Sequence, residues 1–144
     1  MKYIGMAGVQ HDGKILIAQR KKTMKPGGLW EFPGGKLEPN ETAPDCIRRE
    51  FMEELGMVVH VGDYLDEMTY TYPDIGEFHF DTYWATCENP NPTKLDAHEK
   101  IAWIKPDEFD DYHIHPEEII SVLRHHYEDL NEVWPTLHFT LTSK

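Results

Sequence analysis

The chain has little of what several protein classes need. Its two cysteines, Cys46 and Cys87, stand far apart and outside any C-x-x-C spacing. That excludes a disulfide framework or a cysteine zinc site and makes a reducing cytoplasm the default setting. No apolar run approaches the ~18 residues of a membrane-spanning helix, and Met1 to Gln10 lacks the charged, apolar and small-residue succession of a secretory signal. Basic charge is scarce, with 14 Lys and Arg against 26 Asp and Glu for a formal net charge of −12. So acidic a surface does not grip polymeric nucleic acid, which needs a basic face, and it is repelled by an anionic membrane. A small phosphate ligand stays compatible with it, because a bound divalent cation inverts the local charge.

What is present is enough for one domain. The 144 residues are 40% hydrophobic and 12% aromatic, which supports a packed core and argues against disorder. Residues 2–10 and 14–20 read as strands around a His11-Asp12-Gly13-Lys14 hairpin turn. A basic loop over 21–29 leads to the short extended piece Trp30-Glu31-Phe32, stopped by Pro33-Gly34-Gly35. Residues 42–55 read as a helix, with Thr42 as N-cap, Pro44 in the first turn, Gly56 after the end, and Ala43, Ile47, Phe51 and Leu55 forming a buried stripe. Residues 57–72 and 76–87 form a long hairpin about Pro73-Asp74-Ile75-Gly76, and 100–104 is a further strand. Pro116 opens a second helix with Ile119, Val122, Leu123, Tyr127 and Leu130 on its apolar face. Residues 136–142 alternate as a strand does. The order strands, helix, strands, helix predicts a mixed α+β or layered α/β/α domain rather than a doubly wound parallel sheet.

The chemistry is concentrated at one place. Glu50, Glu53 and Glu54 are spaced i, i+3, i+4 and share one helix face. Like charges at that spacing repel, and a divalent cation would neutralise them; oxygen-only ligands select a hard ion such as Mg²⁺ or Mn²⁺. Arg49 lies four residues from Glu53 and can orient a carboxylate, and Gly34 and Gly35 let backbone approach closely. A lone E-x-x-E-E is in most cases a solvated helix face. Here the full pattern G-x5-E-x7-R-E-U-x-E-E-x-G-U, with U apolar, runs from Gly35 through Glu41, Arg49, Glu50, Glu53 and Glu54 to Gly56 and Met57. Its chance occurrence is on the order of one in a billion per starting position.

This pattern resembles the Nudix box, and Leu29-Trp30-Glu31-Phe32-Pro33-Gly34-Gly35-Lys36 before it is similar to the MutT-like branch of that family. The resemblance is strongest over 29–57 and weaker over about 3–127; Phe51 and Met57 stand where Ile, Leu or Val is commoner. It implies a Nudix fold, a mixed sheet between helices, in a single domain over 1–144 with a core of about 3–130 and a tail at 131–144. It implies Mg²⁺- or Mn²⁺-dependent hydrolysis of a nucleoside diphosphate linked to a group X. Carried over by position, Glu50, Glu53 and Glu54 are the expected metal ligands, joined by the carbonyl of Gly34 or Gly35. Glu41 and Arg49 are expected to brace loop and helix. In MutT-like members water attacks the β-phosphorus and releases a nucleoside monophosphate and pyrophosphate. The general base is Glu50 or Glu99, which follows the Pro-rich loop.

On the substrate side, Arg20 heads the main basic cluster and suits a phosphate through its guanidinium fork. Phe32 and Trp30 either line a base pocket or belong to the core. Glu118 falls where MutT-like proteins carry an Asn or Asp to the base edge, and it would equally suit the first turn of a helix. The pairs His113 and His115, and His125 and His126, lack cysteine partners, so zinc is disfavoured. The expected activity is pyrophosphohydrolysis of a nucleoside triphosphate, of the 8-oxo-dGTP or CTP type. The alternatives are ADP-ribose, a dinucleoside polyphosphate or a nucleotide sugar as substrate, or a silent nucleotide-binding module.

Overall fold

The computed structural model describes residues 1–24 and 27–115. The helix expected from Pro116, the strand-like 136–142, Glu118 and Lys25 lie outside the described residues. Strands β1 (Lys2–His11), β2 (Lys14–Arg20), β3 (Trp30–Glu31) and β4 (Gly34–Lys36) precede helix α1 (Ala43–Leu55). Strands β5 (Val59–Tyr72), β6 (Gly76–Cys87) and β7 (His98–Ile104) follow, then a 3₁₀ turn over Pro106–Asp111. No helix among the described residues is long and apolar enough to cross a membrane.

The sheet is mixed. Its main path runs β3-β2-β1-β6-β5, with β4 on β1 and β7 on β2. The β1–β6 pair is parallel and the other pairs are antiparallel. β1 and β2 are joined at Asp12 and Gly13, both at positive φ (51° and 75°), the combination a two-residue primed turn requires. Both strands are buried on two faces, which is why Ile15, Leu16, Ile17 and Ala18 read as a continuous apolar run. One face packs Ala7, Val9 and Leu16 against Ile47, Phe51 and Leu55 of α1. The other packs Met6, Ile15 and Ile17 against Phe32, Phe78, Phe80, Phe109 and Ile114. Each buried Val, Leu, Ile, Met or Phe among them contributes roughly 1.5–3 kcal/mol.

One local expectation changes. β3 ends at Glu31, before Pro33, as expected, but Gly34 and Gly35 are not loop; with Lys36 they form a new strand, β4, in register with Met6, Gly5 and Ile4. A Cβ on Gly34 would collide with the Gly5 carbonyl oxygen and come within 2.7 Å of Met6 Cα. The missing side chain therefore permits the pairing that looked like a break in the sequence.

Candidate active site

Helix α1 presents its carboxylates because both its ends are fixed. The Asp45 amide donates to Thr42 Oγ1 at 3.2 Å, capping the N-terminus. Gly56 adopts the left-handed conformation (φ 60°, ψ 33°) and its N–H donates to Met52 O. With Ile47, Phe51 and Leu55 turned into the sheet, the helical period leaves Glu50, Glu53 and Glu54 facing β4 and the surface beside it. Gly35 lies against Glu50: a Cβ there would stand 2.6 Å from Glu50 Oε2.

Arg49 ties this face to the preceding loop. Its Nε and Nη2 donate to the two oxygens of Glu41, each at 2.8 Å. Nη1 donates to Glu50 Oε1 at 2.7 Å and Glu53 Oε2 at 3.2 Å, and Nη2 also donates to the Lys36 carbonyl at 3.0 Å. The fork-on-fork pair holds the Glu41 carboxyl down at a pKa of about 2, helped by the Glu38 amide. The same acceptors push the Arg49 pKa upward. Burial, then the neighbouring charge of Glu50, pushes the Glu54 carboxyl up to about 8, with a further contribution from Glu31.

A cavity of about 440 Å³ opens beside these groups. At one part of its wall are Glu50, Glu54, Gly34, Gly35, Arg20 and Glu31; elsewhere it is lined by Phe32, Tyr72, Ile75, Phe78 and Phe80. A polar, strongly acidic region and an aromatic region in one cavity suit a ligand with a charged end and a flat apolar end. Arg20 Nη1 reaches Glu31 Oε2 at 3.4 Å, and Glu31 Oε2 also meets Nε2 of the buried His98 at 2.9 Å.

The NUDIX domain family model matches residues 3–130. The chain belongs to the Nudix hydrolases. It is 33% identical over 115 residues to the CTP pyrophosphohydrolase of Escherichia coli K12, covering 77% of this chain and 81% of that protein. It is 46% identical over 70 residues to the 8-oxo-dGTP diphosphatase of Proteus vulgaris, covering 47% of this chain and 62% of that protein. Among solved structures, the E. coli ORF135 protein has a TM-score of 0.70 at 32% identity, with 94% of each chain covered. The MutT protein of Methanosarcina mazei Go1 shares the fold with a TM-score of 0.79 at 18% identity, over 89% of this chain and 94% of that one.

Within this Nudix fold, Glu50, Glu54, Gly34, Gly35, Arg20 and Phe32 come together on the cavity wall. Phe32 does so while buried and edge-on to Phe109, so it is both core and lining. Glu53 is exposed and stands outside the lining, tied to Arg49. Glu99 is exposed and also outside it, its carboxylate accepting from the Lys22 amide at 3.3 Å. Trp30 meets Tyr112 edge-on at 5.0 Å and lies away from the cavity lining.

The donor set fits a hard divalent cation. It is made of oxygens, it concentrates negative charge, and burial beside Glu50 pushes its Glu54 carboxyl upward, a penalty on ionisation that a cation would relieve. The Gly35 carbonyl accepts from the Cys46 thiol at 3.2 Å and stands opposite Gly5 in the β1–β4 ladder.

Two groups of residues escaped the sequence reading. Glu31 and His98 are brought together from β3 and β7, which only sheet pairing reveals. Glu67, His79 and Asp81 on the β5–β6 hairpin hold potential ligand atoms within 4.8 Å of one another. Strand alternation turns His79 and Asp81 away from the face of the cavity-lining Phe78 and Phe80. That trio was legible in principle, since extending the hairpin register from Tyr72 opposite Gly76 brings Glu67 opposite Asp81.

Proposed function

We propose that this Nudix hydrolase is a Mg²⁺- or Mn²⁺-dependent, MutT-like pyrophosphohydrolase that cleaves a nucleoside triphosphate to a nucleoside monophosphate and pyrophosphate. The observation that carries the reading is the cavity itself: box carboxylates Glu50 and Glu54, against Gly35, share it with Arg20 and an aromatic wall. The named activities of the E. coli and Proteus relatives support the same chemistry. Glu50, Glu53 and Glu54, with a carbonyl of Gly34 or Gly35, would hold the cation. When bound, it would withdraw charge from phosphorus and stabilise the leaving group.

The chain's own residues account for the rest. Arg49, clasped by Glu41, keeps Glu50 and Glu53 at fixed distances from the loop, so the ligands are preorganised. Arg20 offers a guanidinium to the phosphates. Phe32 and the aromatic wall take the base and exclude water from that end. Glu50 is favoured over Glu99 as general base because it lines the cavity while Glu99 is exposed and engaged by Lys22. Water gives a proton to the base and its oxygen bonds to the β-phosphorus. The bond from the β-phosphorus to the α,β-bridging oxygen breaks, that oxygen leaving on the monophosphate while the water oxygen stays on the pyrophosphate. Gly56 stops the helix, and Glu118 is proposed for the base edge by its position in the resemblance alone.

The acidic net charge supports a free nucleotide as partner rather than polymeric nucleic acid or a membrane, and the two free, buried cysteines support a cytoplasmic setting. We take the chain as one domain over 1–144. The test is turnover of CTP, 8-oxo-dGTP, ADP-ribose, a dinucleoside tetraphosphate and a nucleotide sugar with Mg²⁺ or Mn²⁺. A triphosphate yielding monophosphate and pyrophosphate is expected as the best substrate. Glu53→Gln should cut kcat by roughly two or more orders of magnitude without lowering the melting temperature. Absence of turnover with either ion would leave a binding module instead.

A further inference from the structure

We propose that His98 is a positioning residue for the substrate cavity, acting through Glu31, whose carboxylate accepts a hydrogen bond from the nucleoside part of the bound nucleotide. This rests on the nucleotide reading above.

Three strands converge on the pair. Glu31 of β3 is in register with Ala18 of β2, and two residues further along β2 Arg20 is in register with His98 of β7. The register shifts between Gln19 and Arg20 at this point. A bulge of that kind re-aims side chains, and here Arg20 and His98 both reach the carboxylate of Glu31. Their contacts are unequal. Arg20 Nη1 stands 3.4 and 3.5 Å from the two oxygens, at the edge of hydrogen-bond range. His98 Nε2 lies 2.9 Å from Oε2, a well-formed bond, so the histidine is the group that fixes the carboxylate.

The chemistry assigns the direction of that bond. A carboxylate oxygen that accepts from the ring requires the proton on Nε2, and we assign that tautomer. The His98 side chain has no exposed surface, and its Nδ1 has no partner among the described residues. The ring is thus a donor aimed at Glu31 from behind the cavity wall, with no other hydrogen bond among those residues to satisfy. A histidine serving the core alone would be matched by an acceptor within the core; this one is matched by a carboxylate that faces the ligand space.

Glu31 is also the one carboxylate on the wall, among the described residues, that is outside the Nudix helix. A carboxylate has about four acceptor positions, and two neighbours leave room for another donor. Phosphates do not donate; sugar hydroxyls and base N–H groups do. Without His98, Glu31 would be free to close into a tighter pair with Arg20, which would withdraw the acceptor from the nucleoside and the guanidinium from the phosphates together.

The experiment compares the wild type with His98→Leu, His98→Gln, Glu31→Gln and the double variant His98→Leu/Glu31→Gln. KM and kcat are measured on CTP and 8-oxo-dGTP. Binding of the corresponding monophosphate is measured by calorimetry. His98→Leu and Glu31→Gln should each raise KM roughly tenfold or more, the effect of one charge-assisted bond, with kcat changing far less. The double variant should be no worse than Glu31→Gln alone. His98→Gln, which keeps an N–H donor, should recover most of the loss. The ring ¹⁵N signals of His98 should report the Nε2–H form and move in Glu31→Gln, a readout that stands even if His98→Leu does not fold. Additive effects in the double variant, an unchanged KM in Glu31→Gln, or His98 signals indifferent to Glu31 would overturn the positioning role. A wild type that neither hydrolyses nor binds any nucleotide would overturn the functional reading itself, and this proposal with it.

Discussion

Replacing Glu54 by Gln removes a carboxyl whose ionisation the metal-free fold opposes. Moving that carboxyl from 4.5 to about 8 corresponds to ~5 kcal/mol of preference for its protonated form. Its partial exposure to solvent brings the working figure down to a few kcal/mol. The native state holds the proton more tightly than the unfolded chain, so this stabilisation is complete below pH 4.5 and is lost as the pH rises through about 8. Glu41, held down to about 2, acts in the opposite sense: its stabilisation is present above 4.5 and is lost as the pH falls toward 2. The interval from pH 5.5 to 9 therefore separates Glu54 from Glu41, and the comparison with Glu54→Gln cancels the groups the two proteins share. In EDTA the wild type should lose roughly 5–10 °C of melting temperature across it, and Glu54→Gln should lose much less. Mg²⁺ should restore the wild type at high pH, and its uptake at pH 7 should release about one proton, measured calorimetrically in buffers of different ionisation enthalpy. Parallel melting profiles for the two proteins, or Mg²⁺ uptake without proton release, would refute the assignment of Glu54 to the cation site.

Gly35→Ala places a methyl group 2.6 Å from Glu50 Oε2, and Glu50 cannot retreat without straining its 2.7 Å bond to Arg49; we expect a stability loss of about 1–3 kcal/mol by denaturant melting and a fall in kcat of roughly a hundredfold or more. Wild-type kcat in that variant would dissociate Glu50 from the chemistry. Arg49→Lys keeps the charge but loses the fork that meets both Glu41 oxygens at 2.8 Å. It should lower kcat by roughly tenfold and weaken apparent Mg²⁺ affinity, read from Mg²⁺ titrations of activity; an unchanged Mg²⁺ midpoint would count against preorganisation of the ligands by Arg49.

The sequence by itself determined α1 almost to the residue. Its cap, its stripe of Ala43, Ile47, Phe51 and Leu55, and its stop at Gly56 are local, set by backbone conformation and a 3.6-residue period. It also determined that Glu50, Glu53 and Glu54 share a face, because three- and four-residue spacings do so on any helix. The β1–β2 turn and the long hairpin were legible for the same reason: the Asp12-Gly13 pair and the Pro73–Gly76 segment are short-range signals. The tertiary structure decided what depends on strands meeting. The β4 pairing of Gly34 and Gly35 with Gly5 and Met6 is invisible in a sequence that shows only a Pro-Gly-Gly break. The double place of Phe32 in core and cavity wall, the position of Glu99 outside the cavity lining, and the meeting of Glu31, Arg20 and His98 were likewise decided there. His98 stands 67 residues from Glu31 along the chain, and no local rule joins them. Helical spacing assembles the carboxylates within one element, whereas the cavity opposite them is made by register between strands distant in sequence.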